Sequence, residues 1–175
     1  AGGTDNVDLA ACTRRGMPVG HTPGVLTAAT ADLGMALLLA VARQLPQASA
    51  AAKAGRWTTW QPDGWLGADL DGATLGIVGL GQIGTAVAER AAAFGLNLVY
   101  TSRTPKPEAE ARLNLTRLAL PDLLAQSDFV MLTVALTPET RHLIDAAALA
   151  RMKPSAILIN LARGPVVDTD ALLAR

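Results

Sequence analysis

The chain is short of sulfur, of aromatic rings and of surplus charge, and each shortage removes a class of function. Cys12 is the one cysteine in 175 residues, so no internal disulfide can form and a reducing, cytoplasmic setting is expected. The chain start carries no basic-then-apolar signal pattern. Fifteen basic residues offset fifteen acidic ones, leaving no net field to gather nucleic acid or an anionic membrane. Phe and Tyr are scarce, and the tryptophans Trp57, Trp60 and Trp65 sit together in one stretch, which does not suit base stacking along a single strand. One cysteine and two scattered histidines, His21 and His142, form no ligand cluster, so no metal is expected. The longest apolar run, residues 35–42, falls well short of the about 20 residues that span a bilayer, and no membrane partner is expected.

What the chain does have is apolar bulk. Half of it is hydrophobic, enough for one ordinary domain or for one domain and a piece of a second. Ala1-Gly2-Gly3-Thr4-Asp5 has no initiator methionine, and residues 170–175 read as a helix barely begun; both ends read as cuts. Residues 8–15 suggest a short helix, Gly16 a turn and 17–20 a short strand. From 27 to 45 dense apolar residues and good helix formers, with no proline before Pro46, predict one long and heavily buried helix. Residues 55–72, rich in Gly, Trp and Pro, read as a loop whose large apolar side chains pack against something.

The pattern then alternates. Strands are expected at 74–79, 96–101, 129–134 and 156–161, and helices at 83–94, 118–126 and 146–152. Residues 103–112 read as a loop or helix start, and Asp168 or Thr169 as the cap of a final helix. Continuously apolar strands separated by helices imply parallel strands covered on both faces, because right-handed crossovers place helices on the two sides. The fold class is α/β, a doubly wound parallel sheet.

Gly79-Leu80-Gly81-Gln82-Ile83-Gly84 is a G-x-G-x-x-G loop between the first of these strands and the next helix. At such a junction the first glycine makes the tight turn, the second lets a pyrophosphate approach the backbone, and the third lets helix and strand pack closely. Free amides at the helix start then hold the phosphates. This is the signature of a dinucleotide site. The following strand ends in Tyr100-Thr101-Ser102-Arg103-Thr104, where a cofactor without a 2'-phosphate would meet an Asp or Glu. Two hydroxyls and a guanidinium stand there instead, suited to a phosphate dianion. Ser102, Arg103 and Thr104 therefore favour NADP(H), with NAD(H) as the alternative.

Beyond the glycine loop, other stretches carry a resemblance. They are Gly3-Thr4-Asp5-Asn6-Val7-Asp8, Gly20-His21-Thr22-Pro23-Gly24-Val25-Leu26-Thr27, Leu136-Thr137-Pro138-Glu139-Thr140 and Asn160-Leu161-Ala162-Arg163-Gly164-Pro165-Val166-Val167-Asp168. With them the chain resembles, along nearly all its length, the D-2-hydroxyacid dehydrogenases, and among these the glyoxylate/hydroxypyruvate reductase branch. The resemblance implies an incomplete Rossmann dinucleotide-binding domain with a remnant of a substrate domain, divided as follows. Residues 1–23 would be the tail of the substrate domain, 24–72 an interdomain helix and tryptophan-rich arm through which a homodimer forms, and 73–175 the truncated dinucleotide-binding domain.

It also implies site roles. Arg163 would bind the carboxylate of a small 2-keto acid and polarise its keto oxygen, and its place after a strand's carboxyl end agrees with where open α/β sheets hold ligands. Backbone amides near Gly2 and Gly3 would help to hold that carboxylate. Leu161 and Ala162 would line the nicotinamide, and Leu136, Pro138 and Thr140 would lie along the cofactor. The glutamate and proton-donating histidine that complete the family's site follow the arginine at a distance; residues 164–175 contain neither, and His21 and His142 lie elsewhere in the pattern. The fragment alone is expected to be inactive, and marginal or self-associating because one sheet edge lacks its neighbours. Two other readings keep the same fold: a non-catalytic nucleotide-sensing or partner-binding module, and a relative of the phosphite dehydrogenase kind with another substrate.

Overall fold

In a computed structural model, which describes residues 3–60 and 62–174, a parallel sheet sits between two layers of helices. The chain opens with α1 (Leu9–Arg14), capped by the Asp8 carboxylate on the Ala11 amide. It continues through α2 (Thr27–Ala42) and α3 (Leu45–Lys53) to a long irregular arm. The alternating part follows: β1 (Thr74–Val78), α4 (Gln82–Ala92), β2 (Asn97–Thr101), α5 (Pro107–Leu113), β3 (Thr116–Arg117), α6 (Leu120–Gln126) and β4 (Phe129–Leu132). Last come α7 (Ala146–Arg151), β5 (Ile157–Asn160), a 3-10 turn at Gly164–Val166 and α8 (Thr169–Leu173), whose cap is Asp168.

The strands pair in parallel in the order β3-β2-β1-β4-β5. Leu75 stands opposite Leu98 on one side and Phe129 on the other, and Val130 opposite Leu158. Successive strand residues point to opposite faces, and here both faces are apolar. Leu75, Ile77, Leu98, Tyr100, Phe129 and Met131 pack beneath α2 and α4 with Ala31, Met35, Leu38, Val87 and Ala88. Val78, Val99, Val130 and Leu132 pack on the other side with Leu123, Leu124, Ile144 and Leu149. Each such side chain fully removed from water contributes about 1.5–3 kcal/mol before entropy is counted, so burial is the main force that binds the two layers to the sheet.

Glycine sets how close the helices come. A Cβ on Gly34 in α2 would meet Leu161 Cδ1 at 2.5 Å and Met131 Sδ at 3.1 Å, so the bare backbone lets α2 lie directly on the β4–β5 edge. On the opposite face, a Cβ on Gly76 would run into Ser127 Oγ and the Leu123 side chain. Ser127 is the buried polar residue of this region, and its hydroxyl donates to the Leu123 carbonyl at 2.6 Å.

Three expectations are corrected. Residues 17–20 form no strand: Pro18 removes a backbone donor, and Met17 and Val19 lie exposed with no neighbour to pair with. The helix expected over 27–45 stops at Ala42, because Gln44 takes a left-handed conformation (φ 52°). Pro46 then begins α3 rather than ending α2, as a proline in the first turn can. That first helix is also buried on one side only, since Leu33, Leu37 and Val41 are exposed. In the arm Trp57 and Trp65 lie against each other, with ring centroids 6.3 Å apart and planes tilted by 35°. Among the described residues no single helix is long and apolar enough to cross a membrane; α2 and α3 would suffice together but meet at 64°.

Two outcomes follow from this packing. Gly76→Ala should destabilise the chain by about 1–3 kcal/mol in urea unfolding, the range for forcing a methyl into a filled core. Asp128 joins the start of β1 to the segment before β5, accepting from the Thr74 amide at 2.9 Å and from Lys153 Nζ at 2.7 Å. Burial pushes its carboxyl up, but the Lys153 and Thr74 hydrogen bonds outweigh this and hold it below the ordinary 3.8. A lowered folded value means stability that is present above 3.8 and lost as pH falls through the folded value. The side chain is 36% exposed, so after solvent screening Asp128→Asn should cost no more than about 1 kcal/mol at neutral pH. That difference should vanish in acid, as read from paired unfolding curves across pH.

Candidate dinucleotide crevice

At the carboxyl ends of the strands the chain leaves β1 toward β2 on one side, and β4 continues on the other, so the sheet's winding reverses beside β1. Open α/β sheets form their ligand crevice at such a point. Here a cavity of about 480 Å³ lies over Val78, Gly79, Leu80 and Gly81, walled by 101–106 on the β2 side and by 133–143 on the β4 side.

The glycine loop is built for close approach. Gly79 turns the chain at φ 98°, where a side chain would also strike Val134. A Cβ on Gly84 would collide with the Gly79 carbonyl, so α4 presses on the end of β1. Thr133 Oγ1 donates to that same carbonyl at 2.5 Å. Gly81, by contrast, faces open space, and as N-cap of α4 it offers no side chain to the first amides of the helix. A cradle of uncapped amides beside an unfilled Cβ position fits a pyrophosphate. Of the loop residues, Gly79, Leu80 and Gly81 line the cavity; Ile83 packs into the core and Gln82 reaches toward Gly24.

Ser102, Arg103 and Thr104 all line the β2 wall, with Lys106 beside them. Their loop is held from behind. Arg117 Nη2 donates to the carbonyls of Ser102 at 2.9 Å and Arg103 at 3.4 Å, and the Ser102 hydroxyl donates to the Thr104 carbonyl. Tyr100, buried at the end of β2, accepts from the Lys106 amide at 2.8 Å and donates to Glu110. Burial and the Glu110 carboxylate both push the Tyr100 phenol up, so it stays a donor at neutral pH.

The β4 wall is a turn locked by Thr140, whose Oγ1 accepts from the Thr137 amide at 2.8 Å and donates to the Ala135 carbonyl at 2.6 Å. Thr140 lines the cavity, whereas Leu136 packs into the lower core, the cluster around Val78, Val130 and Leu132 on the sheet face away from α2, and Pro138 is exposed. Glu139 lines the cavity from the same turn. A hydrogen bond from Thr137, its own backbone and the charge of Arg103 hold its carboxyl below the usual range.

Arg163 stands away from this cavity, beyond the end of β5. Its Nε and Nη2 donate to the two oxygens of Asp5 at 3.1 and 3.3 Å, and Nη1 to the Ala162 carbonyl at 3.0 Å. Three of the five guanidinium N–H bonds are thus engaged, leaving one on each of Nη1 and Nη2. The Arg163 hydrogen bond holds the Asp5 carboxyl below its ordinary value. Gly3 is brought against this pair: a Cβ there would come within 2.5 Å of Asp5 Oδ1 and 2.7 Å of Arg163 Nη2. Gly2 lies outside the described residues. Leu161 packs under Gly34 of α2, and Ala162 against the lower core, so neither lines the cavity at Gly79. Asn160 fixes the turn between them, accepting from the Ala162 amide and donating to the Arg163 carbonyl. His142 (φ 51°) is bound to the segment after Arg163, its amide donating to the Pro165 carbonyl and its Nδ1 lying 3.9 Å from Asp168.

Several residues here escape sequence reasoning. Thr133 and Arg117 act on backbone carbonyls remote in sequence, which no local motif announces. Asp5 and Glu139 sit inside recognisable motifs, but nothing in the string says that each faces an arginine from another element.

Comparison with known proteins agrees with this geometry. The model for the D-isomer specific 2-hydroxyacid dehydrogenase, NAD binding domain, matches residues 35–175. The glyoxylate reductase of Thermococcus litoralis is 52% identical over 175 residues, a match covering 98% of this chain and 53% of the reductase. A crystal structure of a protein from Thermus thermophilus superposes with a TM-score of 0.92 at 53% identity, covering 98% of this chain and 54% of that one. The D-lactate dehydrogenase of Aquifex aeolicus, complexed with NAD and lactic acid, gives 0.91 at 32% identity, over 98% of this chain and 51% of that one. The chain therefore spans about half the length of the curated relatives it matches. With a parallel sheet wound both ways from β1 and a family match that runs from within α2 to the last residue, the chain belongs to the D-isomer specific 2-hydroxyacid dehydrogenases.

Proposed function

We propose that this chain is the cofactor-binding half of a reductase that converts a small 2-keto acid, of the glyoxylate or hydroxypyruvate kind, to the D-2-hydroxy acid, with NADP(H) preferred over NAD(H). The observation that carries this reading is the crevice over Gly79 to Gly81, whose β2 wall is made of Ser102, Arg103 and Thr104 with no carboxylate from β2 itself. In it the amides from Gly79 to Gly84 would hold the pyrophosphate, and the 102–104 loop a 2'-phosphate. Leu136, Pro138 and Thr140 would lie along the cofactor, with Leu161 and Ala162 lining the nicotinamide, which supplies a hydride when bound.

The substrate side rests on Arg163. Its two unengaged N–H bonds can pair with a carboxylate and stabilise the negative charge that grows on the keto oxygen. Gly3, and Gly2 before it, would add backbone amides to the same anion. The relatives named as glyoxylate reductases support a substrate of this size. The likeness to a D-lactate dehydrogenase supports the reaction class.

The same reading extends to assembly. Residues 1–23 would belong to a substrate domain, 24–72 to an interdomain helix and arm, and 73–175 to the dinucleotide-binding domain. A homodimer would form through α2 and the arm. Leu33, Leu37 and Val41, spaced four apart along one side of α2, and Trp57 and Trp60 of the arm are exposed apolar groups that a partner subunit would cover. The lone cysteine supports a reducing, cytoplasmic setting.

Arg103→Ala tests the cofactor assignment. NADPH affinity, measured calorimetrically, should fall about tenfold or more, the scale of lost charge-assisted hydrogen bonds, while NADH changes less than about twofold. Equal losses for both cofactors would remove the 2'-phosphate role. In the full-length enzyme, Arg163→Gln should lower kcat/KM for glyoxylate about a hundredfold or more, as removal of an oxyanion donor does, without weakening NADPH.

A further inference from the structure

The cavity carries charge of both signs. Arg103 and Lys106 line it from the loop after β2, and Glu139 from the turn after β4. β2 and β4 are the two neighbours of β1, so these loops confront each other across the Gly79 turn. Both walls are fixed: Arg117 and Tyr100 hold 102–106 from behind, and Thr140 closes 137–140. The backbones that carry these charges are therefore held on opposite walls of one cavity. Glu139 is an anion at neutral pH, and the Arg103 charge contributes to keeping it so.

We propose that Glu139 is a cofactor-specificity residue: from the wall opposite Arg103, its carboxylate competes with a 2'-phosphate for that guanidinium and accepts a hydrogen bond from a ribose that lacks the phosphate. The inference rests on the reading that this crevice takes the adenosine half of a nicotinamide dinucleotide. A phosphate dianion entering here must draw Arg103 against the pull of a carboxylate across the cavity and then sit near that carboxylate's charge. A 2'-hydroxyl suffers neither penalty and offers a donor, so discrimination arises partly from repulsion of the wrong ligand. An acid is absent from the end of β2, but one is supplied from the far wall. Arg103 and Glu139 pull in opposite directions, and the preference of the protein is the difference between them.

The test uses NADPH, NADH and the fragments 2',5'-ADP and 5'-AMP as titrants of wild type, Glu139→Gln and Glu139→Ala. Both groups are exposed, so the expected effect is modest. The two variants should raise the affinity ratio of NADPH to NADH, and of 2',5'-ADP to 5'-AMP, by about two- to fivefold, and this gain should shrink in about 0.5 M salt. A ratio that stays fixed or falls in both variants, while wild type binds dinucleotide, overturns the role of Glu139 and leaves the crevice reading standing. Wild type that binds neither dinucleotide overturns the crevice reading and this inference with it. The glutamine variant keeps an acceptor for Thr137, so agreement between the two separates charge from any loosening of the turn.

Discussion

The carbonyl of Gly79 is the point on which the crevice depends. It follows directly on β1, it accepts the hydroxyl of Thr133 just past β4, and it lies so near Gly84 that a single methyl there would force α4 away. Helix, central strand and neighbouring strand thus meet at one oxygen atom. Because they do, the first amides of α4 open onto the space between the β2 and β4 walls, and Gly81 leaves that space clear. The burial on both sheet faces supplies the force that presses these parts together. Glycine decides how near they come.

Around this centre the backbone of both cavity walls, and the turn that carries Arg163, are held by side-chain hydrogen bonds. Arg117 acts on the backbone of 102–103, Tyr100 on that of Lys106, Thr140 on that of 135–137, and Asn160 on the turn that carries Arg163. A side chain can hold a ligand only as precisely as its own backbone is held. Without such ties the loops that wall the cavity would have far more freedom.

Much of this was legible in the string because two periodicities are unambiguous. Strands with both faces covered lose the polar alternation of an exposed sheet, and so 129–134 and 156–161 read as strands from their apolar continuity, the observed strands being the shorter 129–132 and 157–160. The glycine loop was legible because its spacing is dictated by contacts within a dozen residues. Local signals failed where the deciding partner was remote. The two-residue β3 exists because β2 offers an edge to pair with, not through any propensity of Thr116-Arg117. Met17 to Gly20 has strand character but no strand beside it. The break after Ala42 hangs on Gln44, a residue with no special claim to a left-handed conformation; its side-chain amide donates to the carbonyl of Leu66 in the arm. The sequence likewise carries Asp5 and Arg163 in separate motifs, and only the folded chain shows them joined.

That ion pair has a consequence for the order in which the chain folds. Asp5 and Arg163 are separated by 158 positions, so their meeting closes a loop that contains nearly all the other elements. Closing so large a loop is entropically unrewarded until the elements inside it have condensed. The β1–β2, β1–β4 and β4–β5 pairings bring the end of β5 within reach of the opening segment. The corner at Arg163 thus depends on the rest of the sheet being in place, although its own ion pair lies at the surface.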